Sequence, residues 1–310
     1  MSEPRMAWIA EDPASKAVVE LARKVAETST TLLITGESGT GKDHLARLIH
    51  ELGPRRDAPY LKIDCASLPQ ELVESELFGH ERGAFTGAVE RKLGRLEMAG
   101  AGTIVLDEVA ALSPATQSKL LRVLEERQFE RLGGTETITI DARLIALTNS
   151  ELSRLVTDGR FREDLFFRLS VLTITVPPLR SRPADILPLA DALLERTARV
   201  HGRTGVVFSE AARHMLATYG WPGNVRDLKN SIERALVFSS GSALTPRDFP
   251  ESVQAADSGL GFALRSLEDI ERDAIQATLE ATHYKIGRSA EILGISRKTL
   301  LDKRKKFGLN

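Results

Sequence analysis

The chain has 310 residues, 42% of them hydrophobic and 27% charged, the composition of a soluble globular protein with room for two or three domains. Its single cysteine, Cys65, excludes an internal disulfide framework and a cysteine-rich zinc site, and no stretch has signal-peptide or membrane-span character, which points to the cytoplasm. The net charge of −1 hides an asymmetry: residues 285–310 carry a net of +6, and the rest of the chain −7. A basic end on an acidic body suggests an appended nucleic-acid-binding module.

In chain order, residues 8–30 place Val18, Val19, Leu21, Ala22, Val25 and Ala26 in a helical amphipathic pattern. Thr31–Thr35 reads as a short buried strand and runs straight into GESGTGK, Gly36 to Lys42; the helix after it carries Leu45, Leu48, Ile49 and Leu52 on one face. Strand, glycine-rich turn and amphipathic helix are the context a phosphate loop requires. The backbone N–H groups of Gly39 to Lys42 would cradle phosphates and Lys42 would reach the β/γ oxygens. Asp43 departs from the general pattern, standing where a Ser or Thr usually binds magnesium.

Tyr60–Asp64 is a second strand candidate, followed by the run ESELFGHERGAFTGA from Glu74 to Ala88. Its last six residues, Gly83, Ala84, Phe85, Thr86, Gly87 and Ala88, cannot build core. On composition they read either as a mobile loop presenting Phe85 and Thr86 outward or as a surface turn whose Phe folds back. Thr103–Glu108 is an apolar strand ending in two carboxylates. Such a strand delivers Asp107 to its C-terminal end, where it can hold Mg²⁺, with Glu108 beside it to polarise a water. Residues 114–133 start with a proline and continue as an amphipathic helix through Leu120, Leu121, Val123 and Leu124. Ala142–Thr148 is a further strand, GRFREDLFFRL from Gly159 a short helix with Arg162 and Arg168, and Val171–Val176 a last strand, closed by Pro177-Pro178. Short helices with polar breaks fill the chain to about Pro250, and residues 251–265 have linker composition. After them come helices over 267–281 and 287–293, a turn at Gly294, and a third helix capped by Ser296 and running to Lys306.

GAFTGA resembles the signature loop of bacterial enhancer-binding activators of sigma-54 RNA polymerase, a branch of the AAA+ ATPases. The resemblance covers roughly residues 8–310, with the other motifs in that family's order; the acidic Asp43 after the phosphate loop suits this branch. It implies an α/β fold: a P-loop AAA+ ATPase with a parallel-sheet core over 1–176, a small helical lid over 177–250, a linker over 251–265 and an all-α Fis-type helix-turn-helix over 266–310. It further implies that Gly36, Glu37, Ser38, Gly39, Thr40, Gly41, Lys42 and Asp43 hold ATP, that Asp107 holds Mg²⁺ and that Glu108 serves hydrolysis. Asp64 stands where the family usually has an Asn restraining that glutamate. A second carboxylate there repels Glu108 unless it is protonated or bonded elsewhere.

By the same resemblance Thr148 and Asn149 are a γ-phosphate sensor, and Arg226, in WPGNVRDL, contacts the nucleotide from the lid. Arg131–Glu136 forms a second pore loop. Arg162 and Arg168 reach a neighbouring subunit's γ-phosphate, the alternative being a salt bridge to Glu163 or Asp164. Gly83 to Ala88 contact the sigma factor. Ala290, Gly294, Ile295 and Leu300 pack the last domain, leaving Ser296, Arg297, Lys298, Thr299, Lys303 and Arg304 to face DNA. The implied partners are sigma-54 RNA polymerase holoenzyme, upstream DNA, further copies of the chain (a hexameric ring, a dimer at rest) and a regulatory protein acting in trans. The competing readings are a DNA-binding regulator with a structural nucleotide site and another AAA+ remodelling ATPase.

Overall fold

Five short apolar strands set the architecture: β1 (Leu32–Thr35), β2 (Tyr60–Asp64), β3 (Thr103–Asp107), β4 (Arg143–Thr148) and β5 (Leu172–Thr175). They form one parallel sheet in the order β2-β3-β4-β1-β5, with Leu32 opposite both Ile145 and Leu172, and Asp64 opposite Asp107. The computed structural model describes residues 8–254, 267–282 and 284–308. The chain divides into two units, Met1–Asp257 and Ser258–Asn310; the expected linker lies, from residue 255 on, outside the described residues.

Covered faces explain the composition of the strands. Parallel strands buried on both sides read as unbroken apolar runs, and every residue of β4 is buried. On one face Ile34, Val105, Ile145 and Leu147 pack against Val18 and Ala22 of the helix Pro13–Ala26 and against Leu45 and Ile49 of the helix Lys42–Leu52. On the other, Leu33, Ile63, Ile104, Leu106 and Leu144 meet Leu120, Leu165 and Leu169. The first helix is shorter than the 8–30 pattern because Asp12 caps it, accepting from the Ala14 N–H at 3.0 Å.

The helix expected over 114–133 stops at Glu126. Arg127 takes a left-handed conformation (φ 57°), and Gln128–Glu130 pairs antiparallel with Thr137–Thr139. The alternation Gln-Phe-Glu against Thr-Ile-Thr has the period of a strand: Phe129 and Ile138 pair and face the core. The tip of this hairpin is the segment 131–136.

Beyond Pro178, helices Ile186–Val200, Glu210–Thr218 and Asn224–Phe238 enclose a second core of Leu189, Leu193, Met215, Leu228, Ile232 and Trp221. The Trp221 indole N–H donates to the Leu216 carbonyl at 2.9 Å, so this ring is core, as its neighbours imply. In the second unit, helices Leu267–Ala281, Ile286–Ile292 and Arg297–Lys306 pack Ile275, Leu279, Ala290 and Leu300. Gly294 (φ 66°) makes the turn, and the Ser296 hydroxyl caps the third helix by accepting from the Thr299 N–H at 3.0 Å. Among the described residues no helix is long and apolar enough to cross a membrane.

Candidate functional site

A parallel sheet puts all its strand C-termini on one edge, and that edge carries the site. Gly36 to Gly41 wrap from the end of β1 to the start of the helix Lys42–Leu52. Gly41 (φ 104°) is its N-cap residue, and at Gly39 (φ 79°) a Cβ would lie 2.3 Å from the Gly223 carbonyl oxygen. Only glycine serves there. A glycine-rich loop that opens a helix is a ready cradle for anions, since the helix dipole and the first-turn N–H groups point at it. Lys42 is only 7% exposed, and its ammonium donates to the carbonyls of Gly36 (2.8 Å) and Glu37 (3.2 Å). Burial pulls its pKa below the ordinary lysine value, against the pull of Glu108 and Asp107.

The lid grips this loop residue by residue. The Arg180 guanidinium donates to both Glu37 carboxylate oxygens (2.7 and 2.5 Å) and the Asn224 amide to one (3.2 Å), holding Glu37 down to about 2. Asn224 also donates to the Ser38 carbonyl at 3.0 Å, Arg226 to the Ser38 hydroxyl at 2.7 Å, the Val225 N–H to the Gly39 carbonyl at 3.0 Å, and the buried Arg182 to the Thr40 carbonyl at 2.7 Å. The sequence pointed to Arg226; Arg180, Arg182 and Asn224 were missed, because their partners are some 140 or more residues away along the chain.

Facing the loop, a cleft of about 590 Å³ gathers Ser38, Gly39, Lys42, Asp43, Asp64, Asp107, Glu108 and Arg226; Lys62, Lys229 and Asn230 are among the lining residues the sequence did not point to. Glu108 has a left-handed backbone (φ 53°), and its Oε2 accepts from the Asn149 N–H at 3.1 Å. Asp64 is bonded elsewhere: its Oδ1 accepts from the N–H groups of Ala66 (3.0 Å) and Ser67 (3.1 Å), so it closes its own turn. Thr148 is fully buried with its hydroxyl accepting from the Ser150 N–H, leaving Asn149 as the member of that pair that reaches Glu108 and lines a second pocket with Glu37, Ser38 and Arg226. Lys62 bridges Asp43 (3.0 Å) and Asp107 (2.8 Å). Burial opposes its charge, but those two carboxylates prevail and raise its pKa. Among the described residues no cluster of three or more His, Cys, Asp or Glu could hold a metal alone. Magnesium needs no such cluster, since it takes one or two carboxylates plus phosphate oxygens and water. Asp107, at the mouth of the phosphate loop, fits that requirement.

The GAFTGA segment projects from a short antiparallel pair, Gly79–His80 with Lys92–Leu93. The Gly83 N–H donates to the Ala88 carbonyl (2.8 Å) and the Ala88 N–H to the Phe85 carbonyl (3.0 Å), closing the loop on itself. Thr86 is exposed, whereas Phe85, 42% exposed, lays its ring edge-on against His80, with centroids 5.0 Å apart. The phenylalanine is thus half folded back. The second loop is seated on the first: the Glu81 N–H donates to the Leu132 carbonyl at 3.0 Å, and Arg131, buried, reaches Glu97 (2.6 Å), Glu136 (2.7 Å) and Glu81 (3.0 Å).

The two arginines of the 159–169 segment differ. Arg162 pairs with Asp164 at 2.7 Å and donates to the Ser118 hydroxyl at 3.1 Å. Arg168 is exposed and, among the described residues, has no ion pair, beside a 62% exposed Phe167. In the second unit, Ser296, Arg297 and Lys298 are exposed and Thr299 is half-buried. Lys303 pairs with Glu271 at 2.6 Å and Arg304 lies over the Tyr284 ring at 5.8 Å, so these two turn partly toward their own domain.

A parallel sheet of this strand order, a glycine loop opening a helix, an acidic strand end and a helical lid define a P-loop ATPase fold of the AAA+ class. The chain belongs to the family of the sigma-54 interaction domain, whose profile matches residues 8–175; an AAA+ ATPase lid domain matches 180–261 and a bacterial regulatory protein domain of the Fis family 266–307. It is 44% identical over 297 residues to the nitrogen fixation protein AnfA of Azotobacter vinelandii, covering 94% of this chain and 56% of that protein. It is 46% identical over 300 residues to the alginate biosynthesis transcriptional regulatory protein AlgB of Pseudomonas aeruginosa, covering 96% and 66%. NtrX from Brucella abortus, solved with ADP, superposes with a TM-score of 0.75 at 33% identity, covering 98% of this chain and 70% of that one; it has also been solved with ATP. The chain spans between about half and two thirds of the length of these two regulators.

Proposed function

We propose that this chain is an ATP-hydrolysing activator of transcription that binds upstream DNA through residues 266–310, assembles into a ring and remodels the closed complex of sigma-54 RNA polymerase. The observation that carries the reading is that the phosphate cleft and the hairpin bearing the GAFTGA loop belong to the same compact unit, Met1–Asp257. Lys42 and the loop N–H groups bind and orient the triphosphate. Asp107 would hold a Mg²⁺ accompanying the nucleotide, and that ion would supply charge neutralisation at the phosphates. Glu108, steadied by the Asn149 N–H, takes the proton of the attacking water. Arg168 reaches the neighbouring subunit's phosphate, while Arg162, engaged by Asp164 and Ser118, orders the segment that presents it. The lid reports nucleotide state through Arg226 and Asn224. Phe85 and Thr86 are then offered to the sigma factor.

The test traps the ring with ADP and aluminium fluoride and asks for a stable complex with sigma-54. It is expected with the unmodified protein and lost on Phe85→Ala or Thr86→Ala, with ATP binding and DNA binding near unchanged. A complex that survives both substitutions, or never forms, sinks the reading. The DNA-binding regulator with a merely structural nucleotide site is separated by an ATPase assay, which it fails.

A further inference from the structure

We propose that Lys62 is a positioning residue of the nucleotide site: a built-in counter-ion that keeps Asp43 from acting as a metal ligand and fixes the carboxylate of Asp107. The inference rests on the ATP reading above and adds a residue to it.

The sequence places one lysine in an edge strand, β2, otherwise written as Tyr-Leu-Ile-Asp. Strand side chains alternate, so Tyr60, Lys62 and Asp64 share one face, and β2 pairs in register with the strand that ends at Asp107. The lysine is thereby carried to the acidic edge. Its ammonium lies 2.8 Å from Asp107 Oδ2 and 3.0 Å from Asp43 Oδ1, and it lines the same cleft as Lys42 and Glu108. Without it, Asp43 and Asp107, which share this one ammonium, would face each other with no cation between them in the cleft where a polyanion must lodge. Like charges at this range, partly shielded from water, repel strongly. Most phosphate loops avoid the problem with a neutral Ser or Thr at the position of Asp43. Here Lys62 cancels the added charge. It engages Asp107 through Oδ2, and it ties up Asp43 so that this carboxylate would not compete for an ion that Asp107 would hold. A charge that neutralises a site without belonging to the substrate has a distinctive signature. It matters most when no other cation is present.

The experiment measures binding of a fluorescent ADP analogue to the full chain, once in EDTA and once in saturating magnesium. Lys62→Met is expected to bind roughly tenfold more weakly than the unmodified protein in EDTA, with most of the deficit removed by magnesium, which supplies the missing charge. Lys62→Gln, uncharged but able to hydrogen-bond, should behave as Lys62→Met, and Lys62→Arg should stay near the unmodified value. Adding Asp43→Asn to Lys62→Met should recover metal-free affinity to within about twofold, because the charge it balanced is gone. A purely structural role would weaken binding equally in both buffers and would not be rescued by Asp43→Asn. Either that pattern, or equal EDTA affinities of Lys62→Met and the unmodified protein, overturns the proposal while leaving the ATP site standing. Failure of the unmodified protein to bind the analogue in either buffer removes the ATP reading itself, and the proposal with it.

Discussion

At the scale of single residues, the cleft separates binding from chemistry. Lys42 lines the cleft with its ammonium anchored on the Gly36 and Glu37 carbonyls, which holds its charge in the phosphate loop, whereas Glu108 hangs from a left-handed backbone and an Asn149 N–H. Lys42→Ala is therefore expected to abolish tight ATP binding. Glu108→Ala should leave binding intact and lower turnover by roughly 10²-fold or more, the usual contribution of a positioned base. Equilibrium binding and steady-state hydrolysis on the same preparations check both, and normal turnover by Glu108→Ala would disprove its role. Asp64 is not positioned to substitute, since its carboxylate caps the turn at Ala66 and Ser67. Glu37 gives a pH prediction. Arg180 and Asn224 hold its pKa at about 2, below the usual 4.5. Its contribution is fully present above the ordinary carboxylate range and fades only as pH falls toward about 2. Glu37→Gln should thus weaken the lid's hold on the loop, and with it nucleotide affinity, by the same factor at about pH 5.5 and about pH 8. A loss confined to the acidic end of that window would contradict the assignment.

At the scale of elements, legibility followed locality. The strand–loop–helix at Gly36, the acidic end of β3 and the Ser296 cap are written within a dozen residues and were read directly. The hairpin 128–139 was not, because Leu-Leu-Arg-Val-Leu-Glu-Glu-Arg-Gln-Phe continues a helical pattern, and only the pairing of Phe129 with Ile138 breaks it. Arg180, Arg182, Asn224 and Lys62 acquire meaning from partners on other elements. For Lys62 a signal existed, a lone cation in a short strand two residues before an acid. The hairpin matters for function because its tip carries the first loop. At Gly133 (φ 69°) a Cβ would lie 2.8 Å from the Ala84 Cβ and 2.9 Å from its Cα, whereas Gly83 (φ 85°) has open space around it. Gly133→Ala is expected to displace the GAFTGA loop and abolish the trapped sigma-54 complex while ATP hydrolysis persists. Gly83→Ala carries only the left-handed penalty of about 1–2 kcal/mol and should reduce complex formation partially. Equal effects of the two substitutions on sigma-54 binding would mean the second loop does not support the first.

At the scale of the whole molecule, the questions are how copies cooperate and how DNA is met. Arg168 is exposed and without an ion pair among the described residues, while Arg162 is engaged within its own subunit. Arg168→Ala should keep nucleotide binding in each subunit and lose hydrolysis, since a trans-acting guanidinium is worth roughly 10³-fold or more. Mixed with Lys42→Ala subunits, whose own Arg168 is intact, it should regain part of that activity; no recovery at any ratio, with rings assembled, would refute the trans role. The basic helix Arg297–Lys306 divides in the same way between inward and outward groups. Lys303 is held by Glu271 and Arg304 rests on Tyr284, whereas Arg297 and Lys298 at the start of the helix and Lys305 and Lys306 at its end are exposed, and the proposed DNA contact is assigned to these four. A helix that enters a groove by its N-terminal turn reads bases there and touches phosphates elsewhere. Arg297→Ala with Lys298→Ala should therefore change sequence preference, each lost base contact costing about 1–3 kcal/mol of discrimination. Lys305→Ala with Lys306→Ala should weaken specific and non-specific DNA alike and flatten the slope of log affinity against log salt by about 2. Salt titrations on matched and scrambled sites distinguish the pairs. If both pairs weaken the two sites by the same factor, the helix does not read bases with its first turn, and the docking has to be reversed.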